Sequence, residues 1–186
     1  MTTYVALLRG INVGGNSLVS MAELRDCFAK MGFENVRTYI NSGNVVFKAA
    51  KTDSQKLEVL IGKQLNQTFS LPIVVVVQSL PEMHKLVASI PASWQKPEGQ
   101  KLNVIFLHRS IDNPNILDGL DTKQGIEELH YSPSVLFWSA QTSNLGKSNM
   151  VKLSSKPVYK QMTIRIYNTV RKIYQIMQEV DQELAP

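Results

Sequence analysis

One order of elements is written twice along this chain, and that repetition limits the possible folds more than any single motif does. Residues 3–11, TYVALLRGI, make an apolar strand ending in Arg9, Gly10 and Ile11. A helix is predicted over 20–33. Ser20 is its N-cap, Glu23 completes a capping box, Leu24, Cys27, Phe28 and Met31 share one face, and Gly32 closes it. Strands at 36–40 and 45–49 flank NSGN (41–44), where Gly43 suits a hairpin turn needing positive φ. A helix over 53–69, a Val-rich strand over 72–77 and a short helix over 81–90 complete the first pass.

PASWQKPEGQ (91–100) breaks the periodicity and reads as a linker. The order then restarts. A strand over 102–111 ends in Arg109, as the first ended in Arg9, and a helix is expected near 113–121. A hairpin spans 129–140, where YSPSVLF echoes NSGNVVF. GKSNMVKLSS (146–155) opens another helix, 162–167 is a strand, and Asn168 caps a last helix over 168–180. These readings predict an α+β fold. Two tandem ferredoxin-like halves (βαββαβ plus one helix), related by internal duplication, occupy 1–90 and 101–186 with 91–100 between them.

Topology turns the linear motifs into candidate sites. In such a half, the end of the first strand and the hairpin turn share one sheet edge, so Arg9 and Asn12 should face Asn41 and Ser42. In the second half, Arg109-Ser110 should face the turn at 131–134. At the opposite edge, Gly146, Lys147 and Ser148 should approach Arg165 and Asn168. Arg9 ends an apolar strand and needs a carboxylate, a carbonyl or a ligand anion as partner. Gly14-Gly15-Asn16 suits a loop with positive φ. Neither G-x-G-x-x-G nor G-x-x-x-x-G-K-[ST] is present, and position 141, where the second would need glycine, is Gln141. What GKS offers is a helix start with a lysine and a hydroxyl. It is either a plain cap or a hold for phosphate.

Charge points the same way. Residues 129–178 contain no Asp or Glu and seven Lys or Arg, so that stretch carries +7 and the remainder −2 of a net +5. Such a field favours an anionic partner. His84, His108 and His130 show no ligand spacing, so no metal site is expected, and no cofactor signature appears. His108, at a strand end, could act as an acid or base. Cys27 is the single cysteine, which excludes an internal disulfide and suits a reducing compartment. Apolar runs such as Ile73–Val77 are far shorter than the ~20 residues that span a bilayer, and MTTYVALL lacks a basic leader. A cytoplasmic protein with no membrane partner is expected.

ALLRGINVGG with TYINSGNVVF, then GKS and T-x-R-x-x-N-T, resembles the bacterial family called domain of unknown function 1697 over essentially the whole chain. The resemblance implies two ferredoxin-like halves and no particular activity. It also implies Asn after the arginine of the last motif, where this chain has Ile166. The expected function is binding of, or action on, a small anionic or phosphorylated metabolite through Arg9, Asn12, Asn41, Ser42, Lys147, Ser148, Arg165 and Asn168. The alternative is a non-catalytic nucleic-acid or protein-binding module using the basic C-terminal half. The residues specify neither a reaction nor an oligomeric state.

Overall fold

In the computed structural model, which describes residues 1–15, 17–95 and 98–183, the chain is mixed α/β with two four-stranded antiparallel sheets. It divides into two compact units. One holds Met1–Met83 with Arg171–Pro186, and the other holds His84–Val170.

In the first unit, β1 (Thr2–Arg9), β2 (Glu34–Tyr39), β3 (Asn44–Ala49) and β4 (Val74–Ser79) lie in the order β2-β3-β1-β4. Tyr4, Ala6 and Leu8 of β1 pack with Val45, Phe47, Val75 and Val77 under α1 (Met21–Lys30) and α2 (Ser54–Phe69). Both helices start as their sequences dictate. Ser20 Oγ accepts from the Glu23 amide at 3.1 Å, and Asp53 Oδ1 accepts from the Gln55 amide at 2.7 Å. Each such cap stabilises a helix by about 1 kcal/mol. On the other face, Thr3 Oγ1 donates to Asp181 Oδ1 at 2.8 Å, and Lys48 Nζ donates to the Asp181 and Glu183 carbonyls. The chain's last helix therefore contributes to the unit that its first strand builds.

In the second unit, β5 (Gln100–Leu107), β6 (Glu127–Ser132), β7 (Val135–Gln141) and β8 (Met162–Ile166) lie in the order β6-β7-β5-β8. Ile105, Leu107, Leu136, Trp138 and Met162 form the core of one face.

Several expectations are corrected here. The boundary between units does not fall in 91–100. It falls within α3 (Leu80–Ala88) and again within α5 (Tyr167–Gln182). Ala92–Gln95 is a 3-10 helix whose Trp94 is 1% exposed, edge-on to Phe137 and Tyr167, so this stretch is core rather than linker. Lys96 and Pro97 lie outside the described residues. The helix expected near 113–121 is a 3-10 helix, Pro114–Gly119, and the one expected from 146 is only α4 (Met150–Leu153). Asn168 sits inside the first turn of α5 and does not precede it.

Nor are the two arginines equivalent in position. Leu8 pairs with Val75 and Arg9 with Val74, while Leu107 pairs with Met162 and the His108 amide donates to the Gln161 carbonyl. The residue in Arg9's position is thus His108, not Arg109. The hairpins agree: Leu8 donates to Gly43 and Leu107 to Ser134, one residue beyond the alignment that the VVF/VLF echo suggests.

Candidate functional site

At the N-terminal edge, the expected meeting of loop and turn is present. Asn12 adopts φ +54°. Its Nδ2 donates to the Val19 carbonyl at 3.0 Å and the Asn41 carbonyl at 2.9 Å, and its Oδ1 accepts from the Val19 amide. These bonds commit the Asn12 amide to fixing the loop. Asn41 and Ser42 are exposed, and Ser42 Oγ accepts from Asn44 Nδ2 at 3.0 Å. Arg9 is half-buried at the same strand end. Gly14 and Gly15 both take positive φ, whereas Asn16 lies outside the described residues. Ile40, a β-branched residue, takes φ +50° and is 49% exposed, a costly backbone state for such a side chain.

The GKS segment is not the open anion hold that its sequence suggests. Ser148 is buried, and its hydroxyl donates to Glu127 Oε2. The same oxygen accepts from Trp138 Nε1 at 2.9 Å, while Oε1 accepts from the Asn149 amide at 2.8 Å and the Lys123 amide at 3.2 Å. Burial pushes the Glu127 carboxyl up, but the bonds from Ser148, Trp138, Asn149 and Lys123 outweigh that and hold it below its ordinary value. An internal carboxylate thus occupies the place where an external anion was expected.

Nor do the four expected residues share one side of the sheet. Arg165 pairs with Val104, which pairs with Phe137, so these three point to one face. Glu127 pairs with Ala140, which lies with Trp138 and Ile105 in the core of the other face. Arg165 is 9% exposed, its Nη1 donates to the Ile164 carbonyl at 2.9 Å, and burial pulls its pKa down to about 10. Lys147 and Asn168 are exposed. Asn168 and Ile166 border a hollow with Gln100, Lys101 and Tyr167 at the sheet's edge.

The second unit's other edge carries chemistry that sequence reasoning touched only through His108. His108 Nδ1 lies 2.8 Å from Ser110 Oγ, which also contacts Gln161 Oε1. Ser110 thus meets Gln161, while Asp112 meets the 131–134 turn: its Oδ1 accepts from Tyr131 Oη and the Ser134 amide, both at 2.9 Å. Burial, then the hydrogen bond and charge of Asp112, push the Tyr131 hydroxyl up to about 12. Ser110 also borders a groove of about 290 Å³, open to solvent, lined by Ile111, Ile116, Leu120 and Val158 together with Asn113, Asn115 and Gly119. No carboxylate lines it. His108 and Ser110 were readable as neighbours two apart; Gln161, fifty-one residues from Ser110, had no such signal.

Among the described residues, no cluster of three His, Cys, Asp or Glu side chains could hold a metal, and no helix is long and apolar enough to cross a membrane. A family model described as "Protein of unknown function (DUF1697)" matches residues 1–137. A solved structure, that of the conserved bacterial protein SP0830 from Streptococcus pneumoniae, is similar at TM-score 0.80 and 29% identity, covering 95% of this chain and 98% of that one. No curated protein matches the chain.

Proposed function

This chain belongs to the DUF1697 family of proteins of unknown function, and from that premise we propose that it binds a small metabolite with a short apolar body and a carboxylate end, in the groove beside Ser110. The carrying observation is the groove's lining: four aliphatic side chains, neutral polar groups at Ser110, Asn113 and Asn115, and no acid. Aliphatic walls with a few placed polar groups are what small-molecule sites usually offer. Arg109 and Lys160 adjoin Ser110 and Gln161 in sequence, and the nearby carboxylate of Asp112 is already engaged by Tyr131 and Ser134.

This reading keeps the anionic ligand expected from the basic stretch and moves it. Glu127 argues against an anion at Ser148, and the opposed faces of Arg165 and Glu127 argue against a shared site there. A nucleic-acid role has less support, because Phe106, Phe137 and Trp138, the aromatics of β5 and β7, are buried and offer no stacking platform. The common strand order of the two sheets supports reading the halves as duplicated ferredoxin-like units. The lone thiol of Cys27 suits the cytoplasm.

The test is methyl NMR during titration with hexanoate, hexanol and inorganic phosphate. Hexanoate should shift the Ile111, Ile116 and Val158 methyls saturably, hexanol more weakly and phosphate least. Shifts confined to residues near Lys147 and Asn168, or no saturable shift, would reject the groove.

A further inference from the structure

We propose that Ser110 is a nucleophile, activated by His108, that cleaves esters or thioesters of short aliphatic acids. The inference rests on the groove reading above and names its chemistry: the bound carboxylate is the product of the reaction. Three observations carry it. Ser110 Oγ is 2.8 Å from His108 Nδ1, within the range of a nucleophile and its base. Ser110 is exposed and borders the aliphatic groove, so a carbonyl at the hydroxyl would leave its acyl chain against Ile111, Ile116 and Val158. Gln161 reaches the same hydroxyl from the residue just before β8.

Proton accounting assigns the roles. The Ser110 backbone amide also points at Nδ1, at 3.4 Å, and His108 caps the 3-10 turn Arg109–Ile111 through that contact. An N–H directed at Nδ1 requires that nitrogen to be unprotonated, so the ring proton sits on Nε2. The Ser110 hydroxyl then donates to Nδ1, and the contact with Gln161 closes without conflict when its side-chain amide turns to present NH₂ to Oγ. Oxygen and nitrogen of an amide are assigned by such networks. In this arrangement Nδ1 can take the proton. One N–H of Gln161 orients the hydroxyl, and the other is available to the oxyanion that forms beside it.

The steps balance. Oγ bonds to the substrate's carbonyl carbon as its proton passes to Nδ1. The bond from that carbon to the alcohol or thiol breaks, and the leaving group takes the proton from His108. Water, deprotonated by Nδ1, then attacks the acyl–Ser110 ester, which releases the carboxylate and restores the hydroxyl. No oxidant, reductant or metal is needed. His108 occupies the strand position that Arg9 holds in the first unit, so only the second unit carries a base there.

The experiment uses the full chain with p-nitrophenyl hexanoate, p-nitrophenyl acetate and a fluorophosphonate probe. Expected is a single phosphonate adduct on Ser110 by peptide mass spectrometry, with hexanoyl ester preferred over acetyl. Ser110→Ala and His108→Gln should each lower turnover at least about 100-fold, the usual scale of base catalysis, with unchanged circular dichroism. Ser155→Ala, an exposed serine outside the groove, should label and turn over as the parent does. Labelling of the unaltered protein needs no variant to fold, so it decides the matter if a variant is unstable. No Ser110 adduct, or turnover equal in parent and Ser110→Ala, overturns the inference. If hexanoate still shifts the groove methyls in that case, binding stands and only the chemistry fails.

Discussion

Ser148 and Arg165 address the second sheet from opposite faces. Ser148 donates to Glu127, whose strand neighbour Ala140 lies in the Trp138 core, while Arg165 pairs with Val104 and shares the face of Phe137. Two residues at one sheet edge need not form one site. Ser148→Ala and Arg165→Ala should therefore be additive in denaturant unfolding, within about 0.5 kcal/mol. Coupling above about 1 kcal/mol would put them in one network.

Glu127 receives four donors, so its removal leaves Trp138 Nε1, Ser148 Oγ and two backbone amides without an acceptor. Glu127→Ala should destabilise the protein by about 3 kcal/mol, several times an ordinary surface change. Its folded pKa is lowered from 4.5, so its contribution is present above that value and disappears as pH falls below it. Glu127→Gln should remove that acid-sensitive component; urea midpoints measured across pH 2–7 check both points.

Tyr131 behaves in the reverse sense. Its folded pKa is about 12 against an ordinary 10, so between those values the unfolded chain has released a proton that the folded chain retains. Stability should fall as pH rises through this window, and Tyr131→Phe should flatten the fall. An unchanged slope in the variant would mean that neither burial nor the Asp112 contact holds the Tyr131 hydroxyl in solution.

The first hairpin offers two backbone tests of opposite sign. At Gly43, φ +76°, a Cβ would stand 2.8 Å from Leu8 Cβ and 2.9 Å from Ile11 Cδ1, so Gly43→Ala should cost about 2 kcal/mol or more. At Ile40, φ +50° and exposed, asparagine accepts the left-handed backbone more readily, so Ile40→Asn should stabilise by about 1 kcal/mol. Thermal melts of both variants decide the pair.

The first unit was legible because its signals are local. The Ser20 cap, the Leu24-Cys27-Phe28 face and the Gly43 turn each specify their own element. In the second unit, Pro114 and the weakly periodic GKSNMVKLSS leave only a 3-10 helix and a single α turn where full helices were expected. The echo between the hairpins misled by one residue, because it follows sequence identity while register is set where Gly43 and Ser134, both at positive φ, turn the chain. One residue reverses the face of every side chain, so Phe47 corresponds to Trp138, not to Phe137. At the candidate sites, Asn12 and Asn41 followed from topology alone. Glu127 could not, since its donors come from a loop, a neighbouring strand and the GKS turn that only folding assembles.

The groove beside Ser110 is tested most directly by calorimetric titration of hexanoate into the parent protein and into Asn115→Trp. Asn115 is exposed on the groove's rim, so the indole fills the cleft without entering the core. Saturable binding to the parent, lost in an Asn115→Trp protein of unchanged melting temperature, is the predicted result. Equal binding to both proteins, or none to the parent, would contradict it.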